Sequence, residues 1–245
     1  MEHPNDTSNS RREIPMARSM CWHCQSEVKG EYLCGQCVKV QPLSKELDYF
    51  TCLRMPRLLT IDTDAMEKTF YELSRTFHPD FYSNKDDTEQ SISLGNSALL
   101  NTAYRTLKDP IQRAEYLIRL EAGSVKEIRS APPADLFEEI LELQDDLNEF
   151  REMSAESDPE GFRRLREKLE DNRNTLEERQ RQMEAILFQK FSGWDALHMQ
   201  EEDVTAKKEA VLKAMQEILS NRTYVKNIVL DLTSTIEHQG NVVGA

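Results

Sequence analysis

Apolar residues recur at three- and four-residue intervals along most of the chain, the spacing that puts them on one face of an α-helix. The first clear run extends from Asp64 to Phe77, and its apolar positions are Met66, Phe70, Leu73 and Phe77. Pro79 follows closely. Because proline lacks a backbone N–H and disfavours helical dihedrals in the residue before it, this helix is predicted to end near His78.

A second helical run opens near Thr88 and ends at Asp109-Pro110. The positions predicted to share one side of it are Leu94, Ala98, Asn101, Tyr104 and Leu107. The two runs predict a helical hairpin that carries His78-Pro79-Asp80 at its tip, where a loop is accessible to partners. This tripeptide is compatible with an ordinary turn, a catalytic His–Asp pair or a docking motif. Catalysis is disfavoured because no nucleophile or second base lies nearby in the sequence.

Three further helical runs follow a break at Pro132-Pro133 and predict a three-helix bundle. The apolar seam of the first run is Leu136, Ile140, Leu143, Leu147 and Phe150. The second run, capped by Asp158-Pro159, directs Phe162, Leu165, Leu169, Leu176 and Met183 inward. The third, from about Glu202, has Val204, Val211, Met215, Ile218, Val225, Val229 and Leu232 on its seam. The fold class is therefore predicted to be all-α.

Three large side chains lie beside these seams. Phe137 and Leu141 are one position away from the first seam, and Tyr224 is one position away from the third. The carboxylates that flank the first two are Glu138, Glu142 and Asp145. Phe137 and Leu141 either widen the core face of their helix or form an exposed apolar patch rimmed by acidic groups. An exposed patch of that kind is typical of a protein-binding surface.

Composition narrows the classes of partner. The net charge is −13, charged residues make up 31% and aromatic residues 7%, which suits long solvated helices. A strongly acidic chain disfavours nucleic acid or an anionic membrane as the main partner. Residues 1–19 lack the hydrophobic core of a secretory signal and are predicted to form a disordered tail. We expect a soluble protein of the bacterial cytoplasm rather than the mitochondrial matrix.

Four of the five cysteines form Cys21-x2-Cys24-x9-Cys34-x2-Cys37. Two CxxC pairs separated by a short loop predict a structural zinc site in segment 20–41, with the backbone freedom of its turns supplied by Gly30 and Gly35. Disulfides and redox CxxC chemistry are the alternatives, and an intracellular setting and the repeated spacing disfavour them. Four thiolates leave no open metal position for catalysis. Cys52 is predicted to be a buried small hydrophobe.

The helix order and three longer strings resemble the HscB family, J-type co-chaperones of iron–sulfur cluster biogenesis, in the form with an N-terminal tetracysteine segment. The strings are Asp48-Tyr49-Phe50, His78-Pro79-Asp80-Phe81 and the run from Asn101 through Asp109-Pro110 to Arg113-Ala114-Glu115-Tyr116-Leu117. The resemblance spans about residues 46–235. It implies a J-domain at 44–122 and a scaffold-binding bundle at 132–238.

The resemblance also implies roles for particular residues in a protein that does no catalysis itself. His78, Pro79 and Asp80 would dock on a DnaK/HscA-type chaperone and trigger its ATP hydrolysis, with Lys68 and Arg75 as a weak basic face. The residues that would hold the IscU-type iron–sulfur scaffold are Phe137, Leu141, Glu142, Asp145 and Tyr224. Glu138 departs from the family, where this position is apolar.

Other classes of function remain open at this stage. A general J-protein would differ only in the client held by the Phe137, Leu141 and Tyr224 surface. A zinc-stapled helical protein-binding module would use no chaperone. A DNA-binding zinc-finger regulator is disfavoured by the acidic charge and the lack of a basic aromatic cluster, and a redox enzyme would require CxxC pairs without bound metal.

Overall fold

The computed structural model describes residues 19–28, 31–44, 46–121, 131–200 and 204–242. The predicted disordered tail, apart from Ser19, lies outside these residues, as does Gly30. The helices within the described ranges are α1 (Tyr49–Cys52), α2 (Thr63–Phe77), α3 (Asp87–Lys108), α4 (Pro110–Glu121), α5 (Phe137–Glu152), α6 (Pro159–His198) and α7 (Thr205–Val242). Short 3-10 turns cover Pro79–Tyr82 and Ala134–Leu136. The all-α prediction is confirmed.

β-Strand pairing within the described ranges is confined to the cysteine segment. Strands β1 (Ser19–Met20) and β2 (Glu27–Val28) pair antiparallel, and an isolated bridge joins Leu33 to Val40. None of the described helices combines the length and apolar character required to cross a membrane.

The described chain divides into two compact units. The first contains the described residues up to Arg57 together with Ile61–Asp109, and the second contains Leu58–Thr60 together with the described residues from Pro110 onward. Helix α4 thus belongs to the second unit, where it packs against α7. The ranges 44–122 and 132–238 stand as predictions about folding domains.

In the first unit, α2 and α3 form the predicted hairpin. Asp62 caps α2 by accepting from the backbone N–H groups of Asp64 (3.1 Å) and Ala65 (3.0 Å), as expected for an aspartate at a helix start. The apolar face of α2 buries Met66, Leu73 and Phe77 and leaves Phe70 half-buried against Tyr104.

Leu107 is buried as predicted, but over the rest of α3 the buried face lies beside the predicted one. Leu94 is 59% exposed and Asn101 is exposed, whereas the positions buried in the hairpin are Glu89, Ser93, Asn96, Leu100, Ala103 and Leu107. Half of the buried side chains on this face are polar, so the spacing of apolar residues does not identify the face. The polar side chains are accommodated because each has a partner outside α3.

In the second unit, α5, α6 and α7 form the predicted bundle. Two ion pairs fix the direction of α5 against α6, Asp135–Arg179 before α5 begins and Asp146–Lys168 (2.7 Å) near its end, so the two helices are antiparallel. The buried side chains of α5 are Ile140, Leu143, Leu147 and Phe150, and those predicted for α6 are also buried. Leu136, also predicted on the α5 seam, lies in the turn before α5 and packs half-buried against the same core. The other predicted residues of both seams are buried. Helix α7 returns antiparallel to α6, so α5 and α7 run in the same direction.

The Leu58–Thr60 segment is held by two side chains of the second unit. The Asp195 carboxylate on α6 accepts from the backbone N–H groups of Leu59 (2.7 Å) and Thr60 (2.8 Å). The Arg113 guanidinium on α4 donates to the Leu59 carbonyl (2.9 Å). Because Leu59 is fully buried, the bonds to its N–H and carbonyl satisfy backbone groups that water does not reach.

Replacing Asp195 with alanine is expected to lower the free energy of unfolding by about 3 kcal/mol, because two N–H donors lose a charged acceptor and one of them stays buried. Urea unfolding followed by circular dichroism measures this. Asp171→Ala, at an exposed aspartate of the same helix, is the matched control and should change stability by less than about 0.5 kcal/mol. An equal loss in both variants would contradict the assigned role.

Candidate functional site

The HPD turn, which we define as His78, Pro79 and Asp80, lies directly after α2. His78 ends the helix with extended backbone (φ −61°, ψ 124°), as expected for a residue before proline. Its ring Nδ1 accepts from the Asp80 backbone N–H (3.3 Å) and lies 3.6 Å from the Asp80 carboxylate. The side chains of His78 and Asp80 are 53% and 87% exposed, so they are presented to solvent rather than used in the core.

The backbone beneath the HPD turn is firmly anchored. The hydroxyl groups of Ser93 (2.7 Å) and Ser97 (2.8 Å) on α3 both donate to the carbonyl of Phe77, the last residue of α2. After the turn, the buried Tyr82 donates its hydroxyl to the Thr76 carbonyl (2.9 Å). An exposed tip on a fixed base is suited to docking, because little conformational freedom is lost when a partner binds.

The predicted basic residues Lys68 and Arg75 are both exposed on α2. Tyr71, 55% exposed, lies between them on the same face. The Glu67 carboxylate accepts from the hydroxyl groups of Tyr71 (3.4 Å) and of Tyr104 on α3 (3.2 Å), so it lies between the basic pair and α3. Glu72 stays exposed near the basic pair.

The structure describes all five cysteines, and none of them forms a disulfide. The Sγ atoms of Cys21, Cys24, Cys34 and Cys37, which we call the cysteine cluster, all lie within 4.8 Å of one another. Cys21 is 3.6 Å from Cys37, and Cys24 is 3.6 Å from Cys34, sulfur to sulfur. Tetrahedral zinc with Zn–S bonds of about 2.3 Å needs sulfurs about 3.8 Å apart, so the four residues fit this metal.

Two similar turns deliver the sulfurs. In each, the N–H of the residue after the second cysteine donates to the carbonyl of the first, from Gln25 to Cys21 (3.0 Å) and from Val38 to Cys34 (2.8 Å). Both donors adopt left-handed backbone, with φ of 58° at Gln25 and 59° at Val38. The expectation for Gly35 is wrong, since its backbone is not left-handed. A left-handed valine is unusual and persists where surrounding contacts enforce it.

The pKa values of the thiols differ within the cysteine cluster as well as outside it. Although a backbone hydrogen bond from Lys39 lowers the pKa of Cys37, burial and the three neighbouring cysteine sulfurs raise it to about 12. The Ser26 hydroxyl donates to the Cys34 sulfur (3.2 Å), and this hydrogen bond is the largest cause that lowers the Cys34 pKa to about 6. The thiolate is the form that binds metal. Burial raises the pKa of Cys52 to about 11, as expected for an inert core thiol.

The predicted scaffold-binding residues lie on the outer side of the bundle. Phe137 and Leu141, which we call the apolar patch, are 58% and 54% exposed. Glu142 and Asp145 are exposed beside them, and Tyr224 on α7 is half-buried. Since Phe137 and Leu141 are absent from the core, the wider-core interpretation is wrong.

The orientation of α5 and α7 places Tyr224 near the level of the apolar patch. Arg151 at the end of α5 donates to Asp231 of α7 (2.7 Å), and Thr235 also contacts Arg151 (3.2 Å). Tyr224 precedes Asp231 by about two helical turns, and Leu141 precedes Arg151 by about three. Because the two helices run in the same direction, Tyr224 and Leu141 lie within about one to two turns of each other along the bundle.

Several residues that support these sites were not identified from the sequence. Asn96 bonds the backbone after the cysteine cluster, and Tyr32 from the cysteine segment packs its ring edge-on against Phe77 (centroids 5.3 Å apart). Lys39 forms ion pairs with Asp86 and Glu89. Each contact joins residues far apart in the chain, and the spacing of residues along a helix or strand cannot predict such pairs.

Comparison with known proteins gives a consistent result. The mouse iron–sulfur cluster co-chaperone protein HscB is 30% identical over 161 residues, which cover 63% of this chain and 69% of the mouse protein. No protein-family model matches the chain.

Two solved structures have the same fold. The crystal structure of human co-chaperone protein HscB aligns with a TM-score of 0.59 at 23% identity and covers 88% of this chain and 97% of the human one. Chaperone HscB from Vibrio cholerae aligns with a TM-score of 0.51 at 20% identity, covering 79% and 99% respectively.

Proposed function

Because the chain belongs to the HscB family of iron–sulfur cluster co-chaperones, we propose that it binds an iron–sulfur scaffold protein and delivers it to a DnaK/HscA-type chaperone. Delivery stimulates the chaperone's ATP hydrolysis and promotes transfer of the cluster. The protein itself recruits and positions its partners. Its own side chains carry out no bond-making step.

The observation that carries the chaperone half of this proposal is the HPD turn. Its His78 and Asp80 side chains are exposed, while Phe77 beneath them is buried and bonded to two serine hydroxyls. An anchored turn with free polar side chains supports docking on another protein. Lys68 and Arg75 lie on the exposed face of the helix that leads to the turn and favour an acidic partner surface.

The scaffold half rests on the apolar patch. Two large apolar side chains more than half exposed are costly to leave in water, and a protein partner that covers them gains free energy. Glu142 and Asp145 form an acidic rim next to the patch, and Tyr224 supplies a half-buried aromatic ring on the neighbouring helix. An apolar centre with a polar rim is the usual anatomy of a protein interface.

The cysteine cluster would hold zinc as a structural ion. Its four sulfurs fit a tetrahedral site, and all four ligand positions are occupied by protein. When bound, the metal cross-links two turns of a segment that has a core of only a few buried residues, including Cys21, Val28 and Cys34. The metal would therefore contribute to folding rather than to a reaction.

A steady-state ATPase assay of the chaperone tests the proposal. We expect this protein to stimulate hydrolysis, and the scaffold to increase the stimulation further. Stimulation without any effect of the scaffold would identify a general J-protein with another client. No stimulation at any concentration would contradict the co-chaperone function and favour a zinc-stapled binding module.

Replacing both Phe137 and Leu141 with alanine is expected to weaken scaffold binding at least tenfold, about 1.4 kcal/mol, because the interface loses its apolar centre. Isothermal titration calorimetry with the purified scaffold measures the change. Stability should be unaffected, since neither side chain lies in the core.

The matched control is the double variant Phe188→Ala, Leu230→Ala, which removes the same two residue types from other exposed positions of the bundle, 40% and 57% exposed. It should bind the scaffold as the wild type does. Equal affinity of all three proteins would remove the apolar patch from the interface.

A further inference from the structure

Lys39 links the cysteine cluster to the start of α3. It follows Cys37 by two positions, and its ammonium contacts the carboxylates of Asp86 (3.0 Å) and Glu89. Asp86 caps α3 by accepting from the Glu89 N–H (2.9 Å). Glu89 is only 4% exposed. Because a buried negative charge is costly, its carboxylate requires a nearby cation.

The turn that carries Cys34 fixes the backbone of Lys39. The Lys39 carbonyl accepts from the Cys34 N–H (2.9 Å) and from the Gln41 side-chain amide (2.8 Å). The same amide approaches the Cys21 sulfur (3.4 Å), so Gln41 touches both turns of the cluster. The backbone of Lys39 is therefore bonded to the turns that carry the cluster cysteines.

Two more contacts join the cysteine segment to the hairpin. The buried Asn96 of α3 donates to the Gln41 carbonyl (2.9 Å) and accepts from the Leu43 N–H (2.9 Å). Tyr32 packs on Phe77, the residue before His78. The segment therefore contacts both helices of the hairpin beside the HPD turn.

We propose that metal bound by the cysteine cluster holds the first turn of α3 and the HPD turn in place, with Lys39 as the positioning residue. Without metal, a segment of about 20 residues cannot maintain its turns, and Lys39 leaves Glu89. An unpaired buried carboxylate is costly, and the first turn of α3 opens to hydrate it. Gln90, which donates to the Ser83 (3.3 Å) and Lys85 (2.8 Å) carbonyls, then releases the loop that follows the HPD turn.

The structural part of this inference concerns the first unit alone. If the HPD turn docks on the chaperone, loss of the metal should also reduce chaperone stimulation, and this second part rests on the proposed function. Hydrogen exchange of the full-length protein tests the structural part without any partner. Removing zinc with a chelator is expected to accelerate exchange of the amides at 89–93 at least about tenfold, because local opening becomes easier. Amides at 165–176 in α6 serve as the internal reference and should not change.

The Lys39→Met variant separates the effect of the Lys39–Glu89 ion pair, which we call the clamp, from the effect of the metal. This variant should retain its zinc but show the accelerated exchange at 89–93, whereas Lys39→Arg should behave as the wild type. Adding Glu89→Gln to Lys39→Met removes the buried charge and should return exchange to within about threefold of the wild-type rate. Lys85→Met, at an exposed lysine near the turn, is the matched control.

The outcomes distinguish the claims. Unchanged exchange after zinc removal would overturn the inference, and unchanged exchange in Lys39→Met would overturn the role of Lys39. Accelerated exchange accompanied by reduced chaperone stimulation, in metal-free protein and in Lys39→Met, supports the whole inference. If zinc-loaded wild type fails to stimulate the chaperone while exchange responds as expected, the proposed function is wrong and the clamp stands.

Discussion

The His78→Gln variant is expected to lose stimulation of the chaperone ATPase completely, returning hydrolysis to the basal rate. The imidazole is 53% exposed and belongs to a turn whose backbone is fixed by Ser93 and Ser97. Glutamine places an amide near the ring position but cannot reproduce its shape or its Nδ1 acceptor for the Asp80 N–H. A docking contact of this kind is expected to contribute at least about 2 kcal/mol, as central interface residues do.

Two controls make this result specific. His238→Gln makes the same change at an exposed histidine of α7 and should stimulate as well as the wild type. The thermal unfolding midpoint of His78→Gln should match the wild type, since the ring is outside the core. Scaffold affinity should also be unchanged. Substantial stimulation by His78→Gln would exclude the HPD turn as the docking element.

The buried faces of the helices can be predicted from the sequence where apolar spacing alone determines which residues are buried. The seam of α5 is an example, because Ile140, Leu143, Leu147 and Phe150 are all buried against the bundle. The end of α2 is another, because the conformational limits that Pro79 imposes on His78 are local. Spacing alone leaves open whether Phe137 and Leu141, which lie beside the α5 seam, widen the core face or face outward, and the structure shows both of them exposed.

The buried face of α3 shows where this approach fails. Apolar spacing predicts that Leu94 is buried, but in the structure α3 is oriented so that Ser93 and Asn96 are buried and Leu94 is exposed. Ser93 is satisfied by the Phe77 carbonyl, and Asn96 by Gln41 and Leu43. These partners come from other parts of the chain. The orientation of α3 is therefore stabilised by tertiary contacts, which leave no pattern in the local sequence.

The candidate sites divide in the same way. The clustering of four cysteines is evident from their spacing. The left-handed backbone that shapes their turns occurs at Gln25 and Val38, where the sequence has no glycine to indicate it. Lys39 resembles any surface lysine in the sequence. Its importance comes from the burial of Glu89, a residue in a distant helix.

Replacing Cys21 and Cys24 with serine is expected to abolish metal binding. Wild-type protein should contain one equivalent of zinc by elemental analysis, and the double variant none, because two remaining thiolates supply only half of a tetrahedral site. Cys52→Ala, which alters a cysteine outside the cluster, should retain the metal.

Thiol counting at pH 8 provides an independent readout of the same site. Cys52 is buried in the core and its pKa is raised to about 11, so it should react slowly in the folded protein. Native zinc-loaded protein should react slowly at every cysteine. Chelated protein should expose four reactive thiols, because the turns that crowd the cluster sulfurs open without metal, and denatured protein should expose five. Four reactive thiols in protein purified without metal or chelator would contradict the zinc site. Reversible oxidation within each CxxC motif, Cys21 with Cys24 and Cys34 with Cys37, would instead favour redox chemistry, because the four cluster sulfurs all lie within 4.8 Å of one another.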